Sequence, residues 1–309
     1  MTPFPFAAIV GQDEMKTAMV LTAIDPKIGG VLVFGDRGTG KSTAVRALAA
    51  LLPPIQAVAG CPCNSATVDD CPDWAQVNDP ALIERPTPVV DLPLGVSEDR
   101  VTGALDIERA LTRGEKAFEA GLLARANRGY LYIDEVNLLE DHIVDLLLDV
   151  AQSGENVVER EGLSIRRFGL SVEVTSPDDI ATRIEVIRRR DAYENDHAAF
   201  MAGWQPEDAD LRDRILSARA ALPNLQTGNV VLHDVASVCL ALGSDGLRGE
   251  LTLLRAARAL AAFEGAAEVT RDHIRRAAPM ALRHRLRRDP LDDAGSTARV
   301  ARQLAEVLP

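Results

Sequence analysis

The sequence predicts an α/β domain built on a parallel sheet, followed by a smaller all-helical domain. Three observations predict it. Short apolar runs, VLVF at 31–34 and YLYI at 130–133, alternate with stretches of helical periodicity over the first 200 residues. Strand signals nearly disappear from about residue 205, where helical stretches follow one another at 207–221, 230–242, 249–264 and 270–288. A glycine-rich loop also stands between the first apolar run and the helix after it. The boundary is expected between Asn195 and Pro206, giving domains 1–200 and 201–309.

Taken in order, residues 12–24 have apolar residues at helical spacing and stop at Asp25-Pro26. Gly29-Gly30 release the chain into VLVF, which ends at Gly35, and a helix is expected from near Lys41 to about Leu52. Residues 53–103 are rich in Pro and Gly and read as loops with short extended pieces, whereas 106–115 and 117–126 look helical. After YLYI, Ile143, Leu146, Leu147 and Val150 repeat at i, i+3, i+4 and i+7, one apolar helix face. LSVEV at 170–174 alternates as a strand. Ser176-Pro177-Asp178-Asp179 then has Ser at an N-cap, Pro in the first turn and acids at the positive dipole end, so a helix is expected from there through VIRRRDAYE.

Composition narrows the function. With 309 residues, 47% of them hydrophobic, the chain is long enough for two compact cores. A net charge of −12 repels phosphate backbones, so nucleic-acid binding is not expected. No apolar run is long enough to span a bilayer, and MTPFPFAAIVGQ lacks the order of a secretion signal. Four cysteines make no disulfide framework, which points to a reducing cytoplasm, the bacterial cytosol. Cys61, Cys63 and Cys71 fall close together in CPCNSATVDDC; they read either as loop thiols or as a redox-sensitive pair. A zinc site would want a fourth ligand and C-x-x-C spacing. Cys239 lies in an apolar helical pattern and reads as core.

The chemistry is carried by Gly35-Asp36-Arg37-Gly38-Thr39-Gly40-Lys41-Ser42, which fits G-x-x-x-x-G-K-[ST] between a strand and a helix. Glycines let backbone N–H groups wrap phosphate oxygens, and the helix starting at Lys41 aims its positive end at them. Lys41 is expected to reach the terminal phosphates of ATP, and Ser42 to offer its hydroxyl to the accompanying Mg²⁺. Such a loop needs an acid on a neighbouring strand, and LYIDE supplies Asp134 and Glu135 at a strand tip. Asp134 is expected to hold Mg²⁺ through water and Glu135 to act as general base on the attacking water. Read bottom-up, these residues describe a nucleoside triphosphatase with a helical lid.

The surrounding segments add a resemblance. IVGQ before the loop, GDRGTGKS, LYIDEVNLLEDHIVDLLLDV, RFGLSVEV and GSDGLRGELTLLRAARALAA closely resemble the I subunits of magnesium chelatase. These are the AAA+ ATPase motors of the complex that inserts Mg²⁺ into protoporphyrin IX for chlorophyll and bacteriochlorophyll. The resemblance runs nearly end to end, and PVVDLPLGVSEDRVTGALDIERAL and LLEDHIVDLLLDVAQSGENVVEREGLSIR carry the particular family. It implies an AAA+ core with an insertion in its second helix around 88–125 and a hairpin at 156–166 before the sensor-1 strand. It also implies that Arg167 is an arginine finger serving the neighbouring subunit and Arg248 the sensor-2 arginine of the lid; read by itself, each is a surface ion pair.

The resemblance further implies a homo-oligomeric ring, expected to be a hexamer, a D-type partner with an integrin-I-like domain, and a large porphyrin-binding H-type subunit. With 4% aromatic residues and no metal-ligand cluster beyond the nucleotide acids, no porphyrin pocket is evident in this chain. The alternative from another class is a MoxR-like AAA+ chaperone that remodels a protein partner. One departure stands out: the family carries a sensor-1 strand with a polar Asn between the hairpin and RFGL, but here GLSIR runs straight into RFGL. Residues are therefore expected to be missing at Arg166–Arg167, and no sensor-1 residue is assigned. RHRLRRD at 283–289 reads either as a solvated helix end or as a partner surface.

Overall fold

A computed structural model describes residues 3–36, 38–75, 77, 80–105, 118–153, 169–244, 247–286 and 296–308. The chain divides into two compact units, one built on the described residues between 40 and 150, the other on residues 7–39 together with 169–308.

In the first unit, α2 (Lys41–Leu51) follows the glycine loop and buries Ala44, Ala47, Leu48 and Leu51 on one side. The short strands β2 (Ile55–Val58) and β3 (Leu82–Arg85) pair antiparallel. The strands β4 (Val89–Leu92) and β7 (Tyr130–Ile133) pair parallel, with Asp91 opposite Tyr132. Between them lie α3 (Glu98–Thr102), the antiparallel pair β5 (Gly103–Leu105) and β6 (Phe118–Ala120), and α4 (Leu122–Ala126). The helix expected over 117–126 is therefore split. At Gly121 a Cβ would sit 2.3 Å from the Val101 carbonyl oxygen, so the backbones pass too closely for a continued helix, and Phe118–Ala120 pairs as a strand instead. The helix expected at 106–115 and the hairpin at 156–166 lie outside the described residues. After β7 comes α5 (Asp141–Ser153), which buries Ile143 and Leu147 on the apolar face expected of it.

In the second unit, α1 (Asp13–Ile24) precedes β1 (Val31–Gly35), which pairs parallel with β8 (Leu170–Val174). Leu170, Val172 and Val174 are buried while Glu173 faces out, the alternation read in the sequence. The expected parallel sheet thus takes the form of two separate parallel pairs among the described residues.

The rest is helical: α6 (Ile180–Asn195), α7 (His197–Ala221), α8 (Asn229–Ala241), α9 (Arg248–Phe263), α10 (Arg271–Leu282) and α11 (Ser296–Val307). The first of these starts later than Ser176. Asp179 is the N-cap, its Oδ1 accepting from the Thr182 amide at 2.7 Å, while the Ser176 amide donates to Asp36 Oδ2. The helix expected from residue 207 begins instead at His197, with Asp196 as cap, and carries Pro206 inside it. Pro206 and Ala202, whose carbonyl loses its helical donor, are both exposed, so the forfeited hydrogen bond is not left buried.

Alanines 256, 257, 259, 261 and 262 of α9 are buried, and their small side chains let neighbouring helices approach closely. Polar ties fix the bundle further. The buried carboxylate of Asp234 takes two hydrogen bonds from Arg271, at 2.7 and 3.2 Å. His273 accepts from the Thr270 amide in a capping box and meets Glu264 with its other ring nitrogen. Arg283 and Arg285 are buried, Arg283 against Glu14 of α1 and Arg285 against Thr252 of α9. At these two positions RHRLRRD is neither a solvated helix end nor a partner surface: long basic side chains with apolar stems and several donors tie helices of the second unit together, Arg283 to α1 and Arg285 to α9. Among the described residues no helix is long and apolar enough to cross a membrane.

Candidate nucleotide site

The loop after β1 is shaped by its glycines. Gly35 has φ +117, and a Cβ there would lie 1.9 Å from the Val174 carbonyl oxygen, so no other residue fits beside β8. The Asp36 amide donates to that same carbonyl at 3.0 Å, the Asp36 carboxylate accepts from the Ser176 amide at 2.8 Å, and the Thr39 hydroxyl donates to the Asp36 carbonyl at 3.1 Å. The start of the loop is thus fastened to the end of β8. Gly38 and Gly40 also have positive φ, +75 and +81, yet nothing lies within 4 Å of where a Cβ would be. Glycine is needed there for the turn and for the open space beside it. Gly40 caps α2 without a side chain, so the first amides of the helix, beginning at Lys41 and Ser42, face outward from the turn. Arg37 lies outside the described residues.

Within the first unit the structure brings Ser42 and Asp134 to one hydroxyl. Residues 132 and 134 share a face at strand spacing, and Tyr132 Oη donates to Asp134 Oδ1 at 3.4 Å. The Ser42 side chain lies close enough to the same phenol to act on its ionisation, in the direction opposite to Asp134. Burial and the Asp134 carboxylate push Tyr132 above its ordinary pKa, so it stays a neutral donor. Glu135 follows in the left-handed conformation, φ +50, and its carbonyl accepts from the Leu138 amide. A non-glycine residue in that region is held by its surroundings, here at the turn that follows the strand tip.

Sequence reading missed the brace beneath this arrangement. Arg46, one helical turn past Ser42, donates to both carboxylate oxygens of Asp91 at 2.8 and 2.9 Å, and Asp91 pairs with Tyr132 across β4 and β7. The signal was present: Asp91 interrupts an apolar run in PVVDLP, and Arg46 stands at i+4 from Ser42.

In the second unit Arg248 is the first residue of α9 and is half-buried. Arg167 lies outside the described residues, as does the junction at Arg166 where the sensor-1 strand was expected to be missing. The four cysteines are free thiols; Cys239 is buried, as its helical pattern implied. Burial, with the neighbouring Cys61, raises Cys63 to about 11, and burial, with Glu250, raises Cys239 to about 12. Among the described residues no group of His, Cys, Asp and Glu side chains is arranged to hold a metal ion as a cluster.

A strand, a glycine loop capped onto a helix, a second strand ending in paired acids and a helical C-terminal region define a P-loop ATPase of the AAA+ class. A family model described as the AAA lid domain matches residues 233–304. A crystal structure of a protein from Cytophaga hutchinsonii assigned as an ATPase shares the fold at TM-score 0.63 and 16% identity, over 98% of this chain and 92% of that one. The chain is 74% identical to the magnesium-chelatase 38 kDa subunit of Cereibacter sphaeroides, over 99% of each chain. It is 68% identical to that of Rhodobacter capsulatus, over 99% of this chain and 94% of the relative. At TM-score 0.55 and 63% identity it also matches, over the whole of both chains, a chain in a model of the complex between subunits BchI and BchD of magnesium chelatase built on a 7.5 Å cryo-EM reconstruction. The chain belongs to the family of magnesium-chelatase 38 kDa, or I, subunits.

Proposed function

We propose that the chain is the ATP-hydrolysing motor of a magnesium chelatase in the bacterial cytosol, coupling ATP turnover to insertion of Mg²⁺ into protoporphyrin IX. The observation that carries this reading is 74% identity to a magnesium-chelatase subunit over 99% of both chains. The ATPase half is supported by the meeting of Ser42 and Asp134 at Tyr132 and by the open side of Gly38 and Gly40, which suit a hydrated cation and phosphate oxygens.

In this reading residues Gly35 to Gly40, including Asp36, Arg37 and Thr39, wrap the phosphates with backbone amides, and Lys41 reaches the terminal ones. Ser42 and Asp134 hold the nucleotide's Mg²⁺, which neutralises charge on the phosphates when bound. Glu135 takes the proton of the attacking water, and a left-handed turn fixes its backbone for that work. Arg248 senses the nucleotide from the lid, and Arg167 acts on the neighbouring subunit's site in a homo-oligomeric ring, a hexamer. The Mg²⁺ delivered to the porphyrin is substrate and is handled elsewhere, on a porphyrin-binding H-type subunit, with a D-type subunit as the further partner.

The test is reconstitution with the D-type and H-type subunits and protoporphyrin IX, following Mg-porphyrin fluorescence with and without ATP. Fluorescence that grows only with both ATP and this chain is expected. ATP hydrolysis by the chain with no metal insertion would instead favour the MoxR-like chaperone, to be pursued by pull-down of its protein substrate.

A further inference from the structure

Arg285 is an unusual cation in the lid. It is 4% exposed, and its Nε donates to the Ala281 carbonyl at 3.0 Å. Its Nη2 donates to the Thr252 hydroxyl at 3.3 Å, and Thr252 is itself 5% exposed. Thr252 stands four residues after Arg248, on the same face of α9 and one turn along. The guanidinium therefore lies under the opening turn of the helix that Arg248 begins. The packing there is tight: a Cβ on Gly249 would come 2.2 Å from the Ser244 hydroxyl oxygen.

We propose that Arg285 is a positioning residue for Arg248: its guanidinium pins, through Thr252, the opening turns of α9, the helix that Arg248 begins. The proposal rests on the reading of Arg248 as the nucleotide-sensing arginine. Burial, and next the nearby Arg248, lower Arg285 to about 10, while Cys239 pulls the other way. That value still leaves Arg285 charged at neutral pH, so its hydrogen bond to Thr252 is charge-assisted. The acid of this turn, Glu250, has a buried Oε2 without a hydrogen-bond partner and acts on Cys239. The polar interior under Arg248 is therefore shared among Arg285, Glu250 and Cys239.

The experiment is a double-mutant cycle on ATPase kinetics in the full chain, with thermal melts to verify folding. Arg285→Gln should raise KM for ATP by about tenfold, mid-range for coupled neighbours. Arg285→Lys, which keeps a charged donor for Thr252, should stay near wild type. In an Arg248→Ala background, Arg285→Gln should add nothing. An equal effect in both backgrounds, or Arg285→Lys as impaired as Arg285→Gln, overturns the proposal and leaves Arg285 a packing residue. If Arg248→Ala itself changes neither KM nor kcat, the sensing role of Arg248 falls first and the proposal with it. Should Arg285→Gln melt too low to assay, Thr252→Val removes the hydroxyl partner at nearly constant shape. It should raise KM only where Arg248 is present, and a rise in both backgrounds again overturns the proposal.

Discussion

Gly35 and Gly38 show how two glycines of one motif are needed for different reasons. At Gly35 a methyl group would be driven 1.9 Å from the Val174 carbonyl oxygen, in backbone that cannot move without breaking the β1–β8 pair. At Gly38 the space is open and only the positive φ resists a side chain. Gly35→Ala is therefore expected to cost more than ~4 kcal/mol, a large share of a typical domain's stability. Gly38→Ala should cost about 1–2 kcal/mol but bind ATP poorly, because its methyl fills the open side of the loop. Urea denaturation and ATP calorimetry on the two variants check this; a Gly35→Ala protein as stable as wild type, or a Gly38→Ala protein with wild-type ATP affinity, would contradict it. The loop residues Gly35–Ser42 and the acids Asp134 and Glu135 were legible in the sequence because each sits at a fixed offset from a strand end. Tyr132 and the Arg46–Asp91 brace were not, since their roles arise from pairing between β4 and β7, and register across strands is invisible to local spacing.

Among the elements, α6 depends on its ends more than on its packing. None of its residues is buried, and Ile180, Ile184 and Ile187 are exposed along one side. Its cap is Asp179, whose carboxylate is held below the usual range by the Thr182 amide and hydroxyl hydrogen bonds. A lowered folded-state pKa means that the cap's contribution is complete above the unfolded value, about 3.9, and is lost as pH falls through the lower folded value. Asp179→Ala should accordingly lower the protection of the Thr182 amide, measured against its intrinsic exchange rate, and acidification through the lowered Asp179 value should do the same in the wild type. Thr182 exchange unchanged in Asp179→Ala would remove Asp179 as the cap.

The start of α6 was misread because Ser176-Pro177 is a good opening on paper. In the fold, however, the Ser176 amide is committed to Asp36, 140 residues away in sequence. Long apolar periodicities such as those of α5 and α9 were read well, since one face must be buried whatever it packs against. The strand β6 was taken for helix because a three-residue strand has too little pattern to show, and only the close pass at Gly121 reveals it.

At the scale of the whole molecule, the alignment with the Cereibacter sphaeroides relative covers 331 positions, whereas this chain has 309 residues. Both chains are covered over 99%, so at least 22 positions of the relative face a gap inside this chain rather than at its ends. That is room for a strand and its connections, at about 3.3 Å per strand residue. The family's sensor-1 strand, expected before RFGL, is our proposal for what is absent.

Catalysis in a ring also distributes one site over two chains, and this makes the role proposed for Arg167 testable without a view of the interface. Arg167→Ala should still bind ATP, because the loop Gly35–Ser42 and Arg248 are intact, yet hydrolyse it up to ~10³-fold more slowly, as when such fingers are removed elsewhere. Glu135→Gln should bind ATP and stall for want of a base. Mixing the two inactive proteins creates sites that pair the intact Glu135 of one chain with the intact Arg167 of its neighbour, and phosphate release should partly return. A finger acting within its own chain gives no such rescue, since every chain in the mixture still lacks one half of its site. Mixed rings no more active than either variant alone would return Arg167 to an ordinary surface ion pair.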